Sequence, residues 1–236
     1  MSLSLAALGI RAVVLDIEGT TTSIDFVYRV LFGYARTHLA EYLRRHGDSG
    51  PAHAALEQLR HEQAADRERG AGAPALMLDY VLWLMDQDRK SPGLKALQGL
   101  IWDDGYRAGE LAGEVYSDVP AALSRWRDAG IGIFIYSSGS VLAQKLLFSS
   151  TPAGDLTRLL GGHFDTGVGP KREPASYAAI SHAVGIAPTR ILFVSDVPQE
   201  LDAAVRAGFH TALCVRDDAP APAGYTVIRS FDEIVV

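Results

Sequence analysis

A-V-V-L-D-I-E-G-T-T, Ala12 to Thr21, is a short apolar run closed abruptly by acids, a glycine and threonines. Such a run has the form of a strand buried on both faces, ending where its side chains turn polar. Segments of the same character recur at 131–136 (I-G-I-F-I-Y), 190–195 (R-I-L-F-V-S), 209–215 (F-H-T-A-L-C-V) and, more weakly, 225–229. Continuous Val/Ile/Leu/Phe runs suit parallel strands covered on both sides. Helical patterns lie between them, at 119–129, 140–149, 174–184 and 198–207. Strands alternating with helices predict an α/β fold with an open, doubly wound, Rossmann-like parallel sheet.

Residues 23–113 interrupt the alternation. Phe26, Val27, Val30, Leu31, Tyr34, Leu39, Tyr42 and Leu43 recur at helical spacing, as do Leu76, Tyr80, Trp83 and Leu84. The segment R-G-A-G-A-P at 69–74 reads as a loop between helices. The expected division is an α/β core of residues 1–19 and 116–236, with an α-helical cap inserted at 20–115. The Pro/Ala-rich 217–224 is expected to be a surface connection before a short final strand.

Composition narrows the function. With 48% hydrophobic and 21% charged residues in 236, the chain can fill a core and is not disordered as a whole. Lys plus Arg number 22 against 28 Asp plus Glu, a net charge of −6 that argues against wrapping nucleic acid. One cysteine permits no internal disulfide, and Cys214 in T-A-L-C-V reads as a buried small hydrophobe. The start M-S-L-S-L-A-A-L-G-I lacks a basic region and is too short to span a membrane. A cytoplasmic monomer, binding neither nucleic acid nor membrane, is expected.

Four short features fall at predicted strand ends, where open parallel sheets bind ligands. In D-I-E-G-T-T, Asp16 and Glu18 are two apart and can face one site. A carboxylate there can attack a phosphoryl group while its neighbour transfers protons. In Y-S-S-G-S (136–140), Ser137 and Ser138 offer hydroxyls beside a helix N-terminus suited to phosphate. Lys171 in G-P-K-R-E-P offers a compact cation, with Pro174 suited to the first position of the next helix. In S-D-V-P-Q-E (195–200), Asp196 is a hard oxygen ligand for Mg²⁺, and Glu200 could support the metal waters or Lys171. Singly, each has a plainer explanation: a strand exit, an N-cap from Ser138 or Ser140, an exposed loop lysine, or acids answering a helix dipole. Their common placement makes coincidence a poor account.

In this order, and with a helical insert after the first, the four features resemble the haloacid dehalogenase superfamily of phosphatases. Glu18 stands where that superfamily usually carries Asp. With the flanks D-I-E-G-T-T-T-S-I-D-F-V and L-F-x-Y-A, it resembles the enolase-phosphatase family of methionine salvage. Further matching strings are D-R-K (88–90), L-K-A-L-Q-G (94–99), I-Y-S-S-G-S-V-x-A-Q-K-L-L-F (135–148), G-H-F-D-T (162–166) and K-R-E (171–173). The resemblance implies that Asp16 is the nucleophile and a Mg²⁺ ligand. It implies that Glu18 assists proton transfer and contacts the metal through its carbonyl, and that Asp196 completes the protein ligands. Ser137, Ser138 and Lys171 would hold substrate phosphate. The implied reaction enolises and dephosphorylates 5-(methylthio)-2,3-dioxopentyl phosphate, a small phosphorylated diketone, to an acireductone. Gly33 departs from the family's usual proline, and Pro170 stiffens the loop before Lys171.

Other chemistry finds less support. No H-E-x-x-H, Walker loop or G-x-G-x-x-G occurs, and His38, His46, His53 and His61 fit helix surfaces. The D-R-K triplet is expected to end a helix with charge facing its dipole, or else to reach over the site. A phosphatase for another small phosphomonoester is the nearest alternative. A silent binding module is disfavoured by the joint presence of Asp16, Glu18, Lys171 and Asp196.

Overall fold

The computed structural model describes residues 2–236. In chain order its strands are β1 (Leu3–Ser4), β2 (Ala12–Leu15), β3 (Gly132–Tyr136), β4 (Gly162–Phe164), β5 (Ile191–Ser195), β6 (His210–Cys214), β7 (Val227–Ile228) and β8 (Ile234–Val235). Its α-helices are α1 (Gly33–His46), α2 (Gly50–Glu68), α3 (Met77–Asp86), α4 (Pro92–Arg107), α5 (Val119–Asp128), α6 (Val141–Ser149), α7 (Pro174–Val184) and α8 (Pro198–Arg206). Two compact units result: residues up to Ile24 together with Ala112–Val236, and Asp25–Leu111.

The first unit is built on a six-stranded sheet, β4-β3-β2-β5-β6-β7, parallel throughout. Ala12–Leu15 is wholly buried because β2 lies in the middle, with Leu15 opposite Ile135 on one side and Val194 on the other. Tyr136, Tyr177 and Phe193 meet in a cluster of tilted and edge-on rings, at centroid separations of 5.1 to 6.4 Å. Parallel pairing brings every strand's carboxyl end to one edge, so Asp16, Ser137, Asp196 and Arg216 leave the sheet on the same side. The doubly wound α/β expectation is borne out. Two elements went unforeseen: the edge strand β4, and the β1–β8 pair, where Leu3 faces Ile234.

The second unit is helical. It opens with a π-helical turn, Phe26–Phe32, continues into α1, and contains α2 to α4. Ser91 caps α4 by accepting from the Leu94 N–H at 2.9 Å, with Pro92 in the first turn. Gly93 lets α4 approach α2: a Cβ there would meet Leu59 Cγ at 2.7 Å. Leu39, Leu59, Tyr80, Leu84 and Leu97 are buried, each aliphatic side chain contributing roughly 1.5–3 kcal/mol. The loop expected at 69–74 is present between α2 and α3. Among the described residues, no helix is long and apolar enough to cross a membrane.

Candidate active site

Asp16 directly follows β2 and is 4% exposed. Its Oδ1 accepts from the Ile17 N–H at 2.7 Å and from the Lys171 ammonium at 2.6 Å. Its Oδ2 lies 3.0 Å from the Ser195 hydroxyl. Lys171 also reaches Glu200 Oε2 at 2.6 Å, and the Ser195 hydroxyl stands 3.0 Å from that same oxygen. Asp16, Lys171, Glu200 and Ser195 therefore close a ring of polar contacts beneath the sheet edge. The Val197 N–H donates to Ser195 Oγ at 3.1 Å. A serine has one hydroxyl proton, so Ser195 can donate to only one of the two carboxylates at a time.

Lys171 is fixed from its own backbone as well. The Tyr177 hydroxyl donates to the Lys171 carbonyl at 2.6 Å, and the Tyr136 hydroxyl to the Gly169 carbonyl at 2.9 Å. The lysine ammonium lies 5.8 Å from the centre of the Tyr136 ring. Burial alone would discharge this lysine, but the charges of Asp16 and Glu200 outweigh it and raise its pKa. The ammonium is held charged.

The carboxyl groups outnumber that cation. Burial and then the charge of Asp16 push Asp196 up to about 7. The same causes raise Glu200, with Lys171 acting against them. Asp196 stands over the turn after Asp16: a Cβ on Gly19 would lie 2.3 Å from its Oδ2. Excess negative charge among hard oxygens is an environment a bound cation relieves. Among the described residues, no three His, Cys, Asp or Glu side chains gather into a metal cage. The hard oxygen donors at this edge are the carboxylates of Asp16 and Asp196. That set suits Mg²⁺, which takes one or two carboxylates and keeps its waters.

Glu18 is half-buried in the turn and forms a backbone bridge with Thr22. Ser137 and Ser138 leave β3, the strand beside β2. Ser137 is buried and accepts from the Gly139 N–H at 3.1 Å; Ser138 is exposed. The cap of α6 is Ser140, which accepts from the Ala143 N–H at 3.2 Å, so neither earlier serine is spent on capping. The D-R-K triplet lies beyond the end of α3, in the helical unit, where Arg89 pairs with Asp66 at 3.1 Å. The four helical histidines are exposed or half-buried, as expected.

Two further residues shape the site. Ser195, the last residue of β5, gave no signal beyond standing before an acid. Gln144 is 1% exposed on α6 and donates to the carbonyls of Gly139 at 3.0 Å and Phe164 at 2.8 Å. It ties the Ser137–Ser140 loop to β4, and a polar residue inside the apolar L-A-Q-K-L-L-F run was its only clue.

An aspartate after the central strand, a buried lysine and a later acid thus gather at one edge of a parallel sheet. The model of the haloacid dehalogenase-like hydrolases matches residues 10–208, and the chain belongs to that family. Within it, the chain is 50% identical over 232 residues to the enolase-phosphatase E1 of Synechococcus elongatus, covering 95% of this chain and 98% of that protein. It is 47% identical over 225 residues to the enolase-phosphatase E1 of an Enterobacter species, covering 95% and 96%. Among solved structures, the UTR4 protein of Saccharomyces cerevisiae superposes with a TM-score of 0.78 at 34% identity, covering 94% of this chain and 99% of that one.

Proposed function

We propose that this chain is an enolase-phosphatase of methionine salvage. It enolises 5-(methylthio)-2,3-dioxopentyl phosphate and removes its phosphate, giving the acireductone. The carrying observation is the Lys171 ammonium, 2.6 Å from both Asp16 and Glu200, with Asp196 at the same sheet edge. In the first step, a proton leaves the carbon bearing the phosphate ester and returns on the neighbouring carbonyl oxygen, leaving composition unchanged. Asp16 then attacks phosphorus; the bond from phosphorus to the substrate oxygen breaks, and Glu18 supplies the proton that oxygen takes. Water attacks the aspartyl phosphate, Glu18 takes the water's proton, and phosphate leaves with the Asp16 carboxylate restored. Lys171, Ser137 and Ser138 hold the phosphoryl oxygens throughout.

Asp16, Asp196 and the Glu18 carbonyl would hold Mg²⁺, which would supply positive charge against the phosphoryl and enolate oxygens. The helical insert acts as the cap that selects the substrate, and the enzyme works as a cytoplasmic monomer. The test supplies purified chain with the diketone phosphate and follows ultraviolet absorbance and phosphate release together. Enol absorbance rising before phosphate release is expected, and Asp16→Asn abolishes the release. Hydrolysis of p-nitrophenyl phosphate with no change in the diketone phosphate would reduce the assignment to a general phosphatase.

A further inference from the structure

Arg216 lies just beyond β6, in the stretch leading to the Pro/Ala-rich connection, yet its guanidinium reaches the turn that follows Asp16. Nε and Nη2 donate to the Thr20 carbonyl at 3.0 and 2.6 Å. Nη1 donates to Asp118 Oδ2 at 2.7 Å, and both side chains are 10% exposed. The guanidinium centre lies 4.2 Å from the Tyr116 ring and 4.7 Å from the Phe231 ring. Asp118 Oδ2 accepts additionally from the Ser230 hydroxyl at 3.0 Å and the Phe231 N–H at 2.5 Å. Arginine is the side chain this arrangement requires, because a planar fork can grip two acceptors while its faces stack on aromatic rings. A lysine would supply charge without the fork.

The turn it grips is tight. The N–H groups of Thr20, Thr21 and Thr22 converge on the Ile17 carbonyl at 2.9 to 3.1 Å, and the Gly19 N–H donates to Thr22 at 2.9 Å. The hydroxyls of Thr20 and Thr22 are buried with no hydrogen-bond partner among the described residues, so they add no tether. The Thr20 carbonyl is therefore the point at which a side chain far along the chain grips the turn, beside the Thr21 carbonyl, which accepts from the Tyr116 N–H at 3.0 Å. That turn carries Glu18, two residues before Thr20. We propose that Arg216, oriented by Asp118, is a positioning residue: it fixes the Glu18 turn so that the carboxyl meets the leaving oxygen. The inference rests on Glu18 being the proton carrier of the proposed reaction.

Leaving groups separate this role from general support of the fold. p-Nitrophenolate departs with little protonation, whereas phenolate needs a well-placed acid. Wild type, Arg216→Ala, Arg216→Lys and Asp118→Asn are compared on p-nitrophenyl phosphate and phenyl phosphate, with Mg²⁺ saturating. Arg216→Ala is expected to lower kcat/KM, which reports departure of the leaving group and not the later hydrolysis of the aspartyl phosphate common to both esters, by about 100-fold on phenyl phosphate, the scale of a misplaced general acid, and by less than about tenfold on p-nitrophenyl phosphate. Arg216→Lys and Asp118→Asn should fall between, with the same bias, and they carry the comparison if Arg216→Ala does not fold. Equal losses on both substrates, or no loss, would overturn the positioning role. A wild type inactive on both esters and on the diketone phosphate would instead overturn the phosphatase assignment and the inference with it.

Discussion

Gly19 and Asp196 come from separate strand exits and stand so close that a Cβ on Gly19 would lie 2.3 Å from Asp196 Oδ2. Gly19 also has φ +71°, a conformation that L side chains resist. Gly19→Ala should therefore move either the turn or the aspartate. The backbone penalty alone is about 1–2 kcal/mol. A higher Mg²⁺ concentration for half-maximal activity, together with a lower Tm, is the expected result. An unchanged Mg²⁺ titration would mean the carboxylate can swing away freely.

Lys171 is the cation that makes two buried carboxyl groups tolerable. Lys171→Met should abolish turnover and destabilise the fold by about 3–5 kcal/mol, the scale of an uncompensated buried charge. Adding Glu200→Gln removes one of the stranded charges, so the double variant should regain part of that stability and none of the activity. Urea unfolding of both variants beside a phosphate-release assay checks the separation.

Ser195→Ala keeps the strand packed but removes the hydroxyl shared by Asp16 and Glu200. A buried hydrogen bond of this kind contributes about 1–3 kcal/mol when its partner is left stranded. kcat should fall with KM nearly constant, because the hydroxyl touches Asp16, the proposed nucleophile, and not the Ser137–Ser140 loop proposed to hold phosphate. A rise in KM at constant kcat would place Ser195 in substrate binding instead.

Acid should loosen the helical unit through Asp66. Burial pushes its pKa up, but the Tyr80 hydroxyl and the Arg89 and Arg69 guanidinium groups outweigh burial and hold it below the ordinary 3.8. A depressed carboxyl pKa means stability is complete above the unfolded value and is lost as pH falls through the folded one. The Tm gap between wild type and Asp66→Asn should be steady from about pH 8 to 5 and close below about pH 4. A gap that persisted in strong acid would assign the effect to shape and not to charge.

The central strands were legible because burial on both faces writes itself as a continuous apolar run, as at Ala12–Leu15 and Ile191–Ser195. β4 was not: Gly162–Phe164 is three half-buried residues at an edge, too short to show periodicity. The positions of Asp16 and Asp196 could be read because each is a reactive residue directly after a strand, and Lys171 because it stands in the G-P-K-R-E-P loop just before a helix. The bond from Arg216 to Thr20 joins residues 196 positions apart, and no local pattern announces such a partner. D-R-K illustrates the opposite limit. Its charges were visible, but only folding reveals that Arg89 answers Asp66, because the acid sits on α2, 23 residues back in the chain.

Cys214 ends β6 with 1% of its surface exposed, and burial pushes its thiol up to about 12. Thiolate is the reactive form, so the folded protein should be nearly blind to alkylating reagents at neutral pH. As the only cysteine in the chain, it becomes a built-in clock. Its rate of labelling measures how often the sheet opens around β6, with no dye or engineered probe. A cysteine introduced on the surface would, by the same reasoning, be the sole handle available in the native state.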